Sequence, residues 1–237
     1  MKNLVLLALL LLGIGNLHAQ KKTVEKTLDV PASNKVNLKL KFGNEVKVTA
    51  WDKKEAYVKV TYEINGGKLN EAFLLTFKEG LGQLNVTADL NEELMKTSTL
   101  PEGGCPDGAT TSFGNYTNGK MKNGACVQID YEVFLPRDAN LTLETINGDI
   151  ELRGLTGTVN AKSISGFVDM DWSNQKGATV ALKTITGEVF SDVAINLTEK
   201  QKEAPMVGYE LKGSVNNGGP KVTLESISNN IYFRKKK

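Results

Sequence analysis

The sequence predicts an all-β protein, and within that class a single-stranded parallel β-helix, or β-solenoid, of short repeats with a glycine at each corner. One eight-residue phrase recurs between residues 141 and 229, and its copies end 18, 21 and 42 residues apart, the last step being twice 21. A period near 20 residues is typical of stacked repeats. In most other segments apolar and polar residues alternate, which indicates half-buried strands. A strongly amphipathic helix is not found anywhere in the sequence. An antiparallel β-meander or sandwich is the alternative fold.

Residues 1–19 are expected to be a secretory signal peptide. Lys2 gives a positive start, Leu4–Leu12 is an unbroken apolar run, and Ala19 offers a small residue for cleavage. The apolar run is too short for a good membrane span, so no transmembrane segment is expected in the mature chain. Residues 20–237 are then predicted to form one β-solenoid domain in the periplasm, at the cell surface or outside the cell.

Strands are predicted in the segments where apolar and polar residues alternate. These segments are 23–30, 36–40, 46–48, 56–64, 73–77, 84–88 and 127–135. The clearest alternation precedes the repeats and places one set of side chains on a single face, namely Val127, Ile129, Tyr131, Val133 and Leu135.

A long loop is predicted at about residues 91–126, where glycine and proline are frequent and no periodicity is sustained. Two cysteines, Cys105 and Cys126, are the only ones in the chain. An even count in an exported protein argues for a disulfide, which would close this loop and stabilise the fold by about 3 kcal/mol. A reactive thiol pair is the alternative, but the Cys-x-x-Cys spacing is absent. Phe113 and Tyr116 are candidates for a contact surface on the loop, unless their rings pack on their own domain.

The repeated phrase consists of an apolar residue, a spacer, an apolar residue, a charged residue, Thr or Ser, Ile, a small polar residue, and Gly or Asn. Its four copies end at the predicted corners Gly148, Gly166, Gly187 and Asn229. Along each copy the apolar residues first occupy every second position and then, from Ile onward, the positions in between. Side chains at these two sets of positions point to opposite faces of a strand, so the chain must bend at the step into Ile to keep them on one buried face. Glycine adopts turned backbone conformations most easily. Each copy therefore predicts a strand, a corner and a second strand.

Two architectures fit such units. In a meander, Asn147-Gly148 would form a tight hairpin turn, but the other copies carry Ser-Gly, Thr-Gly and Ser-Asn instead. In a solenoid, equivalent residues stack, and the copies do place like residues at like positions. We therefore expect one internal column made of Leu143, Ala161, Leu182 and Leu224. A degraded coil is expected at 209–219, and the basic residues 234–237 are expected to protect the edge of the last coil.

Composition argues against several function classes. The formal net charge is only +2, so no nucleic acid partner is expected. The single histidine, His18, lies in the expected signal peptide, which leaves no Ser-His-Asp or Cys-His catalysis and no His-ligated metal. No cofactor is predicted. Two carboxylate pairs lie two residues apart on one strand face, namely Asp149 with Glu151 and Asp169 with Asp171. Either pair could serve acid–base catalysis and the second could bind calcium, but outward strand positions are often charged for solubility, which is the alternative interpretation.

The run from Val127 to Pro136, the phrase at 141–150 and its glycine-centred copies resemble a bacterial putative-adhesin family. The resemblance extends over nearly all of the mature chain and is strongest from Val127 onward. Members of this family are exported domains of unknown function with a β-solenoid-like fold. The resemblance implies an extracytoplasmic domain without catalytic residues.

These observations together predict a non-catalytic exported module that binds like an adhesin or interacts within the cell envelope. A flat stack of strands suits an extended partner such as a glycan or an envelope protein. A polysaccharide-acting β-helix enzyme and a purely structural envelope spacer are the alternatives.

Overall fold

The computed structural model describes residues 21–117, 120–198 and 208–236. The expected signal peptide lies outside the described residues. The all-β class is confirmed, because these residues form eighteen strands in two mixed sheets, with one short helix α1 (Glu92–Thr97) and one 3₁₀ turn (Asn70–Ala72). Among them no helix has the length and apolar character that crossing a membrane requires.

The strands divide evenly between the sheets. Sheet A contains β1 (Lys22–Asp29), β3 (Glu45–Trp51), β4 (Glu55–Ile64), β7 (Thr110–Thr117), β8 (Lys120–Pro136), β10 (Asp149–Arg153), β12 (Val168–Trp172), β14 (Val189–Ser191) and β18 (Ile231–Lys235). Sheet B contains β2 (Lys35–Leu40), β5 (Phe73–Gly80), β6 (Gln83–Leu90), β9 (Asn140–Thr145), β11 (Val159–Ser163), β13 (Ala178–Thr184), β15 (Asn196–Leu197), β16 (Tyr209–Val215) and β17 (Lys221–Ser226).

Five strand–corner–strand units form the centre of the molecule. Each unit is one strand of sheet B followed by one strand of sheet A, and the units stack in parallel in the order β2–β3, β9–β10, β11–β12, β17–β18, β13–β14. Antiparallel strands complete the sheets, with β4 and β1 beyond β8, β5 beyond β6, and β16 and β15 beyond β13. The two mixed sheets fit a sandwich-like fold, which was the alternative expectation.

The stacking order differs from the predicted solenoid. A solenoid adds coils in chain order, but here the last unit in the chain, β17–β18, lies between β11–β12 and β13–β14. The regular solenoid is therefore not confirmed. Residues 209–219 do not form a missing coil, because β16 pairs antiparallel with β13. The basic C-terminus also does not protect an edge, since β18 lies between β12 and β14.

The predicted internal column is confirmed. Leu143 pairs with Ala161, Ala161 with Leu224, and Leu224 with Leu182. All four side chains are fully buried in the core between the sheets. Strand alternation supplies the rest of this core, and its largest fully buried side chains are Trp172, Tyr131 and Phe233.

The corner glycines are explained by close stacking. Gly148, Gly166 and Gly187 do not have positive φ angles, so the expected role in a turned backbone is wrong for them. A Cβ added to Gly166 would lie 2.1 Å from the carbonyl oxygen of Gly148, and one added to Gly187 would lie 2.1 Å from that of Asn229. Glycine is needed at these two corners because the neighbouring unit approaches too closely for any side chain.

A second contact links the corners. In the four units that contain the repeated phrase, the buried Thr or Ser hydroxyl accepts a hydrogen bond from the backbone N–H three residues later. Three of these hydroxyls also donate to the corner carbonyl of the preceding unit in the stack, which gives the pairs Ser163 to Gly148 (2.9 Å), Ser226 to Gly166 (2.8 Å) and Thr184 to Asn229 (2.8 Å). We call Thr145, Ser163, Ser226 and Thr184 the hydroxyl ladder. It explains why the phrase requires Thr or Ser at this position.

Candidate binding surface

The outer face of sheet B carries a row of charges that alternate in sign. Parallel pairing brings the outward charged residue of each unit next to its neighbour, because side chains in register lie on the same face. In stacking order this charge ladder consists of Lys39, Glu144, Lys162, Glu225, Lys183 and Glu210. Glu225 lies within 3.3 Å of the Lys162 ammonium and 3.9 Å of the Lys183 ammonium.

The charge ladder gives a physical reason for the stacking order. If the units stacked in chain order, Lys162 and Lys183 would be direct cross-strand neighbours, and like charges in that position destabilise a sheet. Insertion of β17 places Glu225 between them. The alternation of sign therefore favours the observed order over the sequential one.

A second row of uncharged polar groups runs beside the charge ladder. It contains the amide and hydroxyl side chains of Asn85, Asn37, Thr142, Asn160 and Thr223, which are neighbours in register. The Asn37 amide donates to Asn85 Oδ1 at 3.1 Å, and the Gln83 amide donates to the same oxygen at 2.9 Å. Further along, the row offers donors and acceptors to a ligand lying across the strands.

Two adjoining clefts open on this face and share Lys39 and Glu144. The first has a volume of about 310 Å³ and an apolar floor formed by Ala88, Ile146 and Ile164. The second has a volume of about 440 Å³, and its lining includes Asn37, Thr142 and Asn160 of the uncharged polar row, together with Asn140 and Thr158. We call the two together the sheet B cleft.

Charged groups border the apolar part of the sheet B cleft. The Lys41 ammonium lies 2.8 Å from Asp89 Oδ2, and this hydrogen bond raises the pKa of Lys41 above its ordinary value. Within the described ranges no group of three or more His, Cys, Asp or Glu side chains could hold a metal ion. The arrangement of apolar floor, polar row and paired charges suits recognition of an extended ligand.

The structure places the other candidate residues away from this face. Cys105 and Cys126 form a disulfide with a Cα–Cα distance of 5.2 Å. The predicted loop around them is partly regular, because it includes α1, capped by Asn91, and the antiparallel pair β7–β8. Phe113 and Tyr116 lie on β7. Their side chains are outside the described part of the structure, so their role in a contact surface stays a prediction.

The carboxylates considered for catalysis or calcium binding are engaged in structural bonds. Asp169 is nearly buried and accepts hydrogen bonds from Arg153 and Arg234 at 3.0 Å. Asp171 accepts the backbone N–H of Gly154 at 2.6 Å. Asp149 accepts that of Phe167, and burial raises the pKa of Asp149 above its ordinary value. Glu151 Oε2 lies 3.3 Å from Arg153 Nη2, so each of the four carboxylates has a structural partner.

Sequence reasoning missed the contribution of the N-terminal segment to the cleft. Lys39, Lys41 and Asp89 line it because β2 pairs with both β6 and β9. The segment at 36–48 echoes the repeat only loosely. The signal that could have placed it beside the first copy is the alternation of charge between Lys39 and Glu144.

The fold and the cleft define an all-β, two-sheet protein with a long polar face on sheet B. Two solved structures resemble it: a putative cell adhesion protein from Clostridium sporogenes ATCC 15579 (TM-score 0.54, 13% identity, 92% of this chain and 100% of that one) and a putative adhesin from Bacteroides fragilis NCTC 9343 (TM-score 0.32, 10% identity, 92% and 98%). The first likeness shows a shared fold, and the second is too distant to support an argument. No protein-family model and no curated protein matches the sequence. The resemblance to putative adhesins found in the sequence thus has a counterpart among solved folds.

Proposed function

We propose that this chain is an exported, non-catalytic binding module with an adhesin-like role in the periplasm or at the cell surface. The observation that carries the proposal is the sheet B cleft, in which two adjoining cavities follow the same strands. The Cys105–Cys126 disulfide is in keeping with an oxidising compartment outside the cytoplasm. The fold is shared with a protein described as a putative cell adhesion protein.

The geometry favours an extended partner such as a glycan or a segment of an envelope protein. Adjacent strands lie about 4.8 Å apart, so a ligand crossing β6, β2, β9 and β11 meets polar side chains at regular intervals. The solenoid-like stacking of the central units provides a rigid support for such a face. Lys41 is paired with Asp89 and Lys162 with Glu225, which favours specificity over general attraction to polyanions.

The proposal is tested by blocking the cleft with a bulky side chain. Asn160 is an exposed outward residue lining the cleft, so Asn160→Tyr should obstruct it without disturbing the core. The matched control is Thr27→Tyr on the edge strand of sheet A, which is also exposed. Residues 20–237 of each variant are immobilised and incubated with cell-envelope extract and with a glycan array.

We expect the unaltered protein and Thr27→Tyr to capture the same envelope component or glycan, and Asn160→Tyr to lose it with an unchanged melting temperature. Equal capture by all three proteins would show that the cleft is not the binding site. If none of them captures a partner, the chain is better described as an envelope spacer.

A further inference from the structure

We propose a second binding site, for an uncharged saccharide, on an aromatic shelf at the edge of sheet A. The shelf consists of Phe190 on β14 and Tyr232 on β18, which are neighbours in register. Their rings are stacked, with centroids 5.3 Å apart and planes inclined by 13°. Phe167 contacts Tyr232 edge-on, with centroids 6.0 Å apart. This site is on the opposite sheet from the sheet B cleft and does not depend on the proposed function.

The shelf is open to solvent. β14 is the last strand in the order of sheet A, and 44% of Phe190 is exposed. Large apolar side chains on a strand face are usually buried, and an exposed aromatic cluster more often marks an interaction site. Tyr232 is half-buried and the Arg234 guanidinium lies 4.7 Å from the centroid of its ring, so Phe190 provides the ring face that is open to a ligand.

Polar groups surround the stacked rings in a regular pattern. Glu188 and Asp192 flank β14, two residues before and after Phe190, and both are exposed. Asn230 donates to the Tyr232 hydroxyl at 3.1 Å and accepts the Glu188 backbone N–H at 2.9 Å, and Asp192 accepts the Lys235 backbone N–H at 2.6 Å. Each pyranose ring presents an apolar C–H face and equatorial hydroxyl groups, which match a flat ring bordered by carboxylates, an amide and a guanidinium.

The charges near the shelf select among ring-shaped ligands. Arg234 is engaged with Asp169, since its Nε lies 3.0 Å from both carboxylate oxygens. Glu188 and Asp192 are exposed beside Phe190. These carboxylates would repel the phosphates of a nucleic acid or the acid groups of a charged polysaccharide. An uncharged saccharide is therefore the ligand that the site fits.

The site is tested with the chain from residue 20 to 237 and uncharged hexasaccharides of glucose, mannose, galactose and N-acetylglucosamine as probes. Binding is followed by saturation-transfer NMR and isothermal titration calorimetry. A single stacked sugar ring gives a Kd of about 1 mM. An acidic hexasaccharide of galacturonic acid serves as the charged comparison.

Phe190→Ala is expected to weaken binding of the best uncharged probe by about tenfold. Leu74→Ala is the matched control, because Leu74 is an apolar residue on the edge strand β5 with a similar exposure of 46%, and it should bind like the unaltered protein. Phe190→Trp keeps a flat ring and should bind within about threefold of the unaltered protein, which separates loss of the ring from loss of the fold.

Three outcomes would overturn the proposal. They are the absence of binding to any uncharged probe by the unaltered protein, equal binding by Phe190→Ala, and tighter binding of the acidic hexasaccharide. If Phe190→Ala binds equally and Asn160→Tyr loses this binding, the saccharide lies in the sheet B cleft instead.

Discussion

At the scale of single residues, the hydroxyl ladder is the contact that most directly ties the repeated phrase to the fold. Its hydroxyls are buried, and each satisfies a backbone N–H of its own corner. A buried backbone N–H or carbonyl that loses its hydrogen-bond partner lowers the free energy of unfolding by about 1–3 kcal/mol. A hydroxyl at this position therefore stabilises both its own unit and the contact with the unit before it.

Ser163→Ala tests this role. The substitution removes the acceptor for the Gly166 N–H and the donor to the Gly148 carbonyl, and Ser163 is fully buried. We expect the free energy of unfolding to fall by about 2 kcal/mol in urea denaturation. Ser165→Ala, two residues away at an exposed position, should change it by less than about 0.5 kcal/mol. A similar small effect for Ser163→Ala would mean that water replaces the ladder contacts.

At the scale of the strands, the charge ladder predicts how substitutions at Glu225 on β17 change the stability of the fold. Glu225→Gln should lower stability slightly, because it removes attraction to Lys162 and Lys183. Glu225→Lys should lower it further, by about 1 kcal/mol in total, because it creates two like-charged cross-strand pairs. Glu79→Lys is the control, since Glu79 is an exposed residue of β5 that faces Leu84 across the strand pair.

Salt dependence distinguishes this electrostatic effect from a packing defect. Added salt screens charges at the surface, so the difference between Glu225→Lys and the unaltered protein should shrink when urea denaturation is repeated in concentrated NaCl. A difference that is independent of salt would argue that Glu225 matters for packing and not for the order of the units.

A row of carboxylates on sheet A gives a pH-dependent prediction. Asp130, Glu45 and Asp149 are neighbours in register on β8, β3 and β10. Burial is the main cause that raises the pKa of Asp130 above its ordinary value of 3.8, and the charge of Glu45 adds to it. Because the pKa is higher in the folded state, the carboxyl contributes stability when it is protonated, and that contribution is lost as the pH rises through the folded pKa.

Asp130→Asn should therefore melt at a higher temperature than the unaltered protein at pH 7, and the difference should disappear below about pH 4. Melting temperatures from pH 3 to pH 7 provide the measurement. Asp107→Asn at an exposed position shows the background effect of removing a carboxylate. A lower melting temperature for Asp130→Asn at pH 7 would show that the carboxylate is held by favourable contacts.

At the scale of the whole molecule, the sequence determined the contents of each unit better than the order of the units. Leu143, Ala161, Leu182 and Leu224 could be assigned to one column because each phrase buries the same positions, and periodicity is a property of the local sequence. The order depends on contacts between units with nearly identical inner faces. It is decided by differences such as the sign of charge at Lys162, Lys183 and Glu225, which a search for repeated apolar positions overlooks.

The candidate site was harder to predict for a related reason. In its own segment of sequence, each residue that lines the sheet B cleft is simply one of the outward-facing residues of a strand. Lys39, Asp89 and Ile164 are brought together only by the pairing of β6, β2, β9 and β11. Phe190 and Tyr232 likewise become a stacked pair only because β18 pairs with β14.

The position of β17–β18 makes truncation at the C-terminus a test of the whole architecture. In a sequential solenoid the last coil is an end coil, and stability is roughly a sum over neighbouring repeats, so its removal leaves the rest folded. Here the last unit separates β11–β12 from β13–β14. Deletion of residues 220–237 would remove an internal strand from each sheet, including the buried Val222, Leu224 and Phe233.

We expect this deletion to abolish cooperative unfolding and to leave the repeats from Leu141 onward unprotected in amide hydrogen exchange. The comparison is deletion of residues 20–29, which removes only the edge strand β1 and should lower the melting temperature while the cooperative transition remains. Protection of β9 to β12 in the protein lacking residues 220–237 would mean that the first three units stack without the last one. The C-terminal segment would then complete an already folded stack, and the molecule would behave as a solenoid in folding despite its order of units.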